Sequence, residues 1–172
     1  AFGAAEIGRI TEECFFSGKH PHAKLLNIDS TPDDWFCFFK WNRPKSDVYG
    51  EWLLWDEVIP LVKWGIERAK QVGQERLILS KRNKPLYRDH AKNKQTGFAS
   101  WFNSLREPFL SDDFPKLPFG TIRDTLPTIL RRDYSQELSS VCLAHGETGN
   151  DYLIHCYTTR PFGKLHQAIR EL

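Results

Sequence analysis

The chain has 172 residues, 40% hydrophobic and 13% aromatic, which suits one domain with a packed core. Lys and Arg number 24 against 22 Asp and Glu, so the formal charge is only +2; a uniformly basic coat for nucleic acid is excluded, and any DNA surface must be local. No apolar run is long enough to cross a bilayer and no signal peptide is visible, so a cytoplasmic protein without a membrane partner is expected.

Ile7 and Ile10 share a face and predict a short helix over residues 4–13. Residues 17–21 are a polar break. Leu26 and Ile28 alternate weakly, which predicts a strand over 23–28, and Ser30-Thr31-Pro32-Asp33-Asp34 predicts a turn. The run WFCFFKW over 35–41 is the strongest strand signal: short, aromatic and bounded by turn residues. It reads as core and sheet face in preference to a platform for stacking bases. Residues 42–50 form a polar connection holding Arg43, Lys45 and Asp47, and 51–54 return as a partner strand. The result is a small antiparallel sheet with Lys45 at or near a hairpin tip.

Residues 56–71 read as a helix, with Val58, Leu61, Val62, Gly65, Ile66 and Ala69 at helical spacing and Gly73 as its stop. A brief apolar run follows at 77–79. The segment KRNKPLYRDHAKNK over 81–94 has six Lys or Arg and one acid. It reads either as a solvated loop or as a phosphate-backbone contact, in which Lys81, Arg82, Lys84 and Arg88 join Arg43 on DNA. A helix is predicted over 97–109 with Phe98, Trp101, Phe102 and Leu105 inward. Pro108, Pro115 and Pro118 punctuate the link to helices near 121–132, 135–144, 151–156 and 162–172. Pro127 should kink the first of these or set its start. The fold expected is α+β, mostly helical, with a small antiparallel sheet on one side, in a single domain over 1–172.

Cys14, Cys37, Cys142 and Cys156 stand singly in apolar surroundings and read as buried thiols in a reducing compartment. No His or Cys cluster has ligand spacing, so no metal is expected, and no small-molecule cofactor either. The chain contains no Met and opens on AFGAAEIGRI, which looks like the middle of a helix. A preceding segment is therefore expected in the whole protein.

Three residues near the C-terminus fall in a telling order. Gly120-Thr121-Ile122-Arg123 open one predicted helix, Leu143-Ala144-His145 close another, and Tyr157 follows a dozen residues later, before the last helix. This resembles the C-terminal catalytic domain of tyrosine recombinases, the phage-integrase family, whose pattern is H-x-x-R, then L-G-H, then the tyrosine and a final helix. Lys45 in NRPKSDVYGEW resembles the family's hairpin lysine, and FGAAEIGRI its G-L-R-x-x-E-L segment. The resemblance spans essentially the whole chain and implies an integrase-like fold acting on double-stranded DNA, with the core-binding domain that normally precedes it absent here.

The chain departs from the pattern twice. Gly120 stands where the family has His. Gly3 or Ala5, depending on the alignment, stands where it has its first arginine, with Arg9 about one helical turn away as a substitute. What the resemblance implies is site-specific recombination or integration through a 3′-phosphotyrosyl intermediate. Tyr157 would be the nucleophile, Arg123 and His145 the phosphate ligands, and Lys45 the acid for the departing 5′-oxygen.

Each residue also has a plainer reading. Tyr157 can be a packing tyrosine, as can Tyr152. His145 can be a helix-end histidine favoured by the dipole, Arg123 can pair with Asp124, and Lys45 can be solvated surface. Phe162, Leu165, Ile169 and Leu172 give the last helix an apolar face, for docking onto a second copy on DNA or for packing at home. The rival to an enzyme is a degenerate DNA-binding module that keeps the fold, and behind it an unrelated helical scaffold.

Overall fold

The computed structural model describes residues 3–39, 48–89, 97–109, 117–145 and 160–172. The sheet has three antiparallel strands in the order β1 (Phe15–Ser17), β2 (Trp35–Phe38) and β3 (Glu51–Leu53). Phe36 of β2 faces Phe16 on one side and Leu53 on the other, and Cys37 faces Trp52. Around the sheet stand α1 (Ala4–Gly8), α2 (Ala23–Leu26), α3 (Ile59–Gln71), α4 (Gly97–Phe109), α5 (Ile122–Asp133), α6 (Gln136–Cys142) and α7 (Phe162–Glu171). The fold is thus α+β with helices predominating. Among the described residues no helix is long and apolar enough to cross a membrane.

The main core joins Phe36, Trp52 and Leu53 of the sheet to Leu130 of α5, Leu138 and Val141 of α6, and Phe162, Leu165, Ala168 and Ile169 of α7. α7 packs on β3, α6 and α2, and α5 packs on α6. Of the apolar face offered for a second copy, Phe162, Leu165 and Ile169 are therefore buried at home, and Leu172 alone of the four is exposed. Docking onto a neighbour through that face is corrected accordingly: it would have to abandon this core.

Several expectations need correction, each because a distant partner overrides the local pattern. Residues 23–28 are not a strand. They form the one-turn helix α2, with Leu26 N–H on the His22 carbonyl at 3.0 Å and Ile28 N–H on that of Ala23 at 2.9 Å. Asn27 closes it at φ 50°, a left-handed conformation that its short polar side chain tolerates. The first helix stops at Gly8, because Ile10 turns away to accept from Leu77 N–H at 3.0 Å and joins Cys14 and Leu77 in a second small core. β1 was not anticipated; Phe16 gains its place by stacking on Phe36 with centroids 4.8 Å apart. Leu61 of α3 and Trp101 and Leu105 of α4 are exposed rather than inward. Phe98, by contrast, is buried and stacks on Phe119, just ahead of α5.

A polar, titratable cluster sits inside this apolar frame. Glu51 of β3, His20 and His166 of α7 are each 5% exposed or less. Glu51 lies 3.2 Å from His20 Nε2 and 3.4 Å from His166 Nε2, and accepts from the Tyr49 hydroxyl at 2.8 Å. Burial and the neighbouring Glu51 push the Tyr49 hydroxyl well above the ordinary phenol range.

Candidate phosphate site

His145 is placed by the way α6 ends. Ser135 caps the start of that helix, its hydroxyl accepting from Leu138 N–H at 3.1 Å. At the far end His145 N–H reaches back to the Ser140 carbonyl at 3.1 Å and Ala144 N–H to that of Val141 at 3.0 Å. This is a Schellman closure, which requires a left-handed residue between helix and exit. Ala144 fills that position at φ 47°, where glycine is the usual occupant. The next carbonyl along, that of Cys142, is taken by the Trp52 indole N–H from β3 at 2.8 Å. The turn is thus pinned from inside, and it projects His145 off the helix end.

Arg123 is placed by the start of α5. A 3₁₀ turn at Phe119–Thr121 runs into the helix, and Arg123 lies in its first turn. Pro127, buried inside α5, has no N–H to donate back to the Arg123 carbonyl four residues earlier. Pro127 does not set the start of this helix: α5 begins at Ile122 and runs through Pro127 to Asp133.

The antiparallel packing of α5 on α6 brings one helix's start to the other's end. Arg123 Nη2 lies 3.2 Å from His145 Nε2, across 22 residues of sequence. A guanidinium has only donors, so Nε2 accepts and the ring hydrogen of the neutral imidazole stands on Nδ1. Arg123 Nε is buried and has no hydrogen-bond partner among the described residues. No ion pair joins Arg123 to Asp124 or to any other described carboxylate. A half-buried guanidinium with an unmatched donor beside an imidazole is what an oxyanion requires.

Sequence reasoning missed one residue here. Arg160, just ahead of α7, donates from Nη2 to the His145 backbone carbonyl at 2.8 Å. The visible signal was an arginine followed by Pro161 at the entry to the last helix; nothing local indicates that its guanidinium reaches back to α6.

The other predicted residues divide. Tyr157, Lys45 and Arg43 lie outside the described residues, as do Tyr152, Cys156 and the helix expected over 151–156. Lys81, Arg82, Lys84 and Arg88 are all exposed. Their loop is organised: Ser80 N–H donates to the Lys84 carbonyl at 2.8 Å, and Arg68 Nη2 donates to the Ser80 carbonyl at 2.7 Å and to Asn83 Oδ1 at 2.8 Å. Arg9, the substitute offered for the family's first arginine, is engaged elsewhere. Its Nε donates to Asp89 Oδ1 at 2.9 Å, its guanidinium lies over the Tyr87 ring, and Asp89 also takes Arg76. Those arginines hold the Asp89 carboxyl below its usual range, Arg76 foremost. Cys14, Cys37 and Cys142 are buried, and burial pushes the Cys37 and Cys142 thiols up. Among the described residues no group of three or more His, Cys, Asp or Glu is arranged to hold a metal.

No family model, curated protein or solved structure matches this chain.

Proposed function

We propose that the chain is the catalytic domain of a DNA strand-exchange enzyme of the tyrosine-recombinase kind, with an integrase-like fold. The observation that carries this reading is the 3.2 Å contact between Arg123 and His145. Two residue types that serve one phosphate stand together, in the order and at the helix ends that the motif spacing requires.

In the proposed reaction a phosphodiester of double-stranded DNA displaces the direct Arg123–His145 contact. Arg123 donates to the non-bridging oxygens as they gather charge. The imidazole turns its hydrogen to Nε2 and donates to the same phosphate. The Tyr157 phenol, ordinarily titrating at about 10, loses its proton to solvent water, and its oxygen forms a bond to phosphorus. The bond from phosphorus to the 5′-oxygen breaks, and Lys45 gives that oxygen its proton. The 3′-phosphotyrosine conserves the bond, so another strand's 5′-hydroxyl can reverse the step. Tyr157 precedes Arg160 by three residues, a span of at most about 11 Å of extended chain.

The test is a suicide substrate, a nicked duplex from which the cleaved end diffuses away. Full-length protein should form a covalent DNA adduct, Tyr157→Phe should abolish it, and Arg123→Ala should slow it by about 10²–10³-fold. A DNA-binding module without catalysis is the second reading, favoured by Gly120, which brings no side chain, and by the commitment of Arg9 to Asp89. DNA binding without any adduct would select it.

A further inference from the structure

Resting on the reading of Arg123 and His145 as a phosphate site, we infer that Arg160 is its second cationic anchor. It is a positioning residue that fixes His145 by its backbone and brings a second guanidinium to the same corner. Arg160 Nη2 holds the His145 carbonyl at 2.8 Å, while Arg123 Nη2 meets the same residue's ring at 3.2 Å. Two guanidinium groups thus engage one histidine, one through its backbone and one through its imidazole.

That carbonyl lies beyond the last turn of α6, where helix geometry supplies no donor. Arg160 provides one, and with it fixes the peptide plane from which the imidazole hangs. Helix C-termini also favour cations, so the placement is stable without a ligand. The charge matters as much as the bond. A phosphodiester carries one negative charge, and an attacking oxygen adds to it in the transition state. One guanidinium balances the ground state; a second, half-buried on the backbone of the same histidine, favours the more highly charged state, because screening is weaker there than in open water. Arg9 cannot do this while Asp89 and Tyr87 hold it.

The experiment is a titration of the whole chain with inorganic phosphate, followed by the NMR signals of the arginine Nε–H groups and the His145 ring. Phosphate should move the Arg123 Nε–H and His145 signals in the wild type and leave Arg123→Gln unaffected. Arg160→Gln should weaken phosphate affinity by about tenfold, the size of a lost charged contact. The Trp52 indole N–H, bonded to the Cys142 carbonyl one turn inward, should keep its shift, showing that the end of α6 is intact. Arg160→Lys keeps the charge but not the planar fork and should fall between the two. If Arg160→Gln does not fold, Arg160→Lys decides. Wild-type phosphate affinity in the deciding variant overturns the role of Arg160 while leaving the Arg123–His145 reading in place. Wild-type protein with no response at Arg123 or His145 overturns both.

Discussion

Lowering the pH from about 8 to about 5 should weaken the fold through one residue, His166. Its ring is sealed in the core at 1% exposure, and its titration is pushed down to about 3, well below the ordinary histidine range. Burial is the first cause, followed by the nearby His20 and by Arg170; Asp34 and Glu51 pull the other way without prevailing. The sign follows from the depressed value. The unfolded chain takes up a proton as pH falls through the ordinary histidine range, whereas the folded chain does not until near pH 3. Stability is therefore whole above the unfolded value and is lost progressively below it. At pH 5 the unfolded state is favoured by about one and a half pH units of linkage, or about 2 kcal/mol. The assay is urea unfolding followed by tryptophan fluorescence, run at both pH values on wild type and on His166→Gln. The variant carries a constant offset, and titrating groups remote from His166 cancel between the two proteins. The wild type should lose about 2 kcal/mol more than the variant over this interval. Equal losses would refute the claim that His166 stays neutral in the fold.

Other outcomes follow from single positions. Ala144→Gly and Ala69→Gly each remove a buried methyl, yet the first should be nearly neutral, because it relieves a left-handed backbone, while the second should cost about 1–2 kcal/mol in the last turn of α3. Equal urea midpoints for the two would remove the argument for strain. Gly163→Ala should lower the urea midpoint by the equivalent of about 1–3 kcal/mol. Its methyl would stand 3.0 Å from the Leu26 carbonyl oxygen and closer still to that of Asn27, both rigid backbone; an unchanged midpoint would show that α7 can back away freely. A Cβ at Gly120 meets nothing within 4 Å, so Gly120→His should fold normally. If the site binds DNA phosphate as proposed, that variant should form the covalent adduct about tenfold faster or more; slower formation would count against the alignment of Gly120 with the family's histidine.

What could be read from the residues was whatever a single element decides. The aromatic run of β2, the α3 face that buries Gly65 and Ala69 ahead of Gly73, and the Ser135 cap of α6 all announce themselves within a few residues. The meeting of Arg123 and His145 was legible too, because one marks a helix start and the other the end of the next helix. The rest depends on partners far off in the chain. Three residues of β1 become a strand only because Phe36 offers a stacking face. Ile10 leaves its helix for Leu77. Glu51 reads as an ordinary strand-end acid until His20 and His166 close over it. Arg160 gives no local hint that its guanidinium belongs to a turn fifteen residues back.

The seating of the last helix has a further consequence. Ile169 receives the Trp55 indole through its carbonyl at 2.8 Å, His166 rests on Glu51, and Gly163 abuts the end of α2. Arg160 leads directly into this helix while gripping the carbonyl of His145. Lifting the helix away would therefore do more than expose an oily face: it would let go of the imidazole. The last helix and the end of α6 are thus fastened together, and, if the corner binds phosphate as proposed, its readiness depends on the whole closed domain.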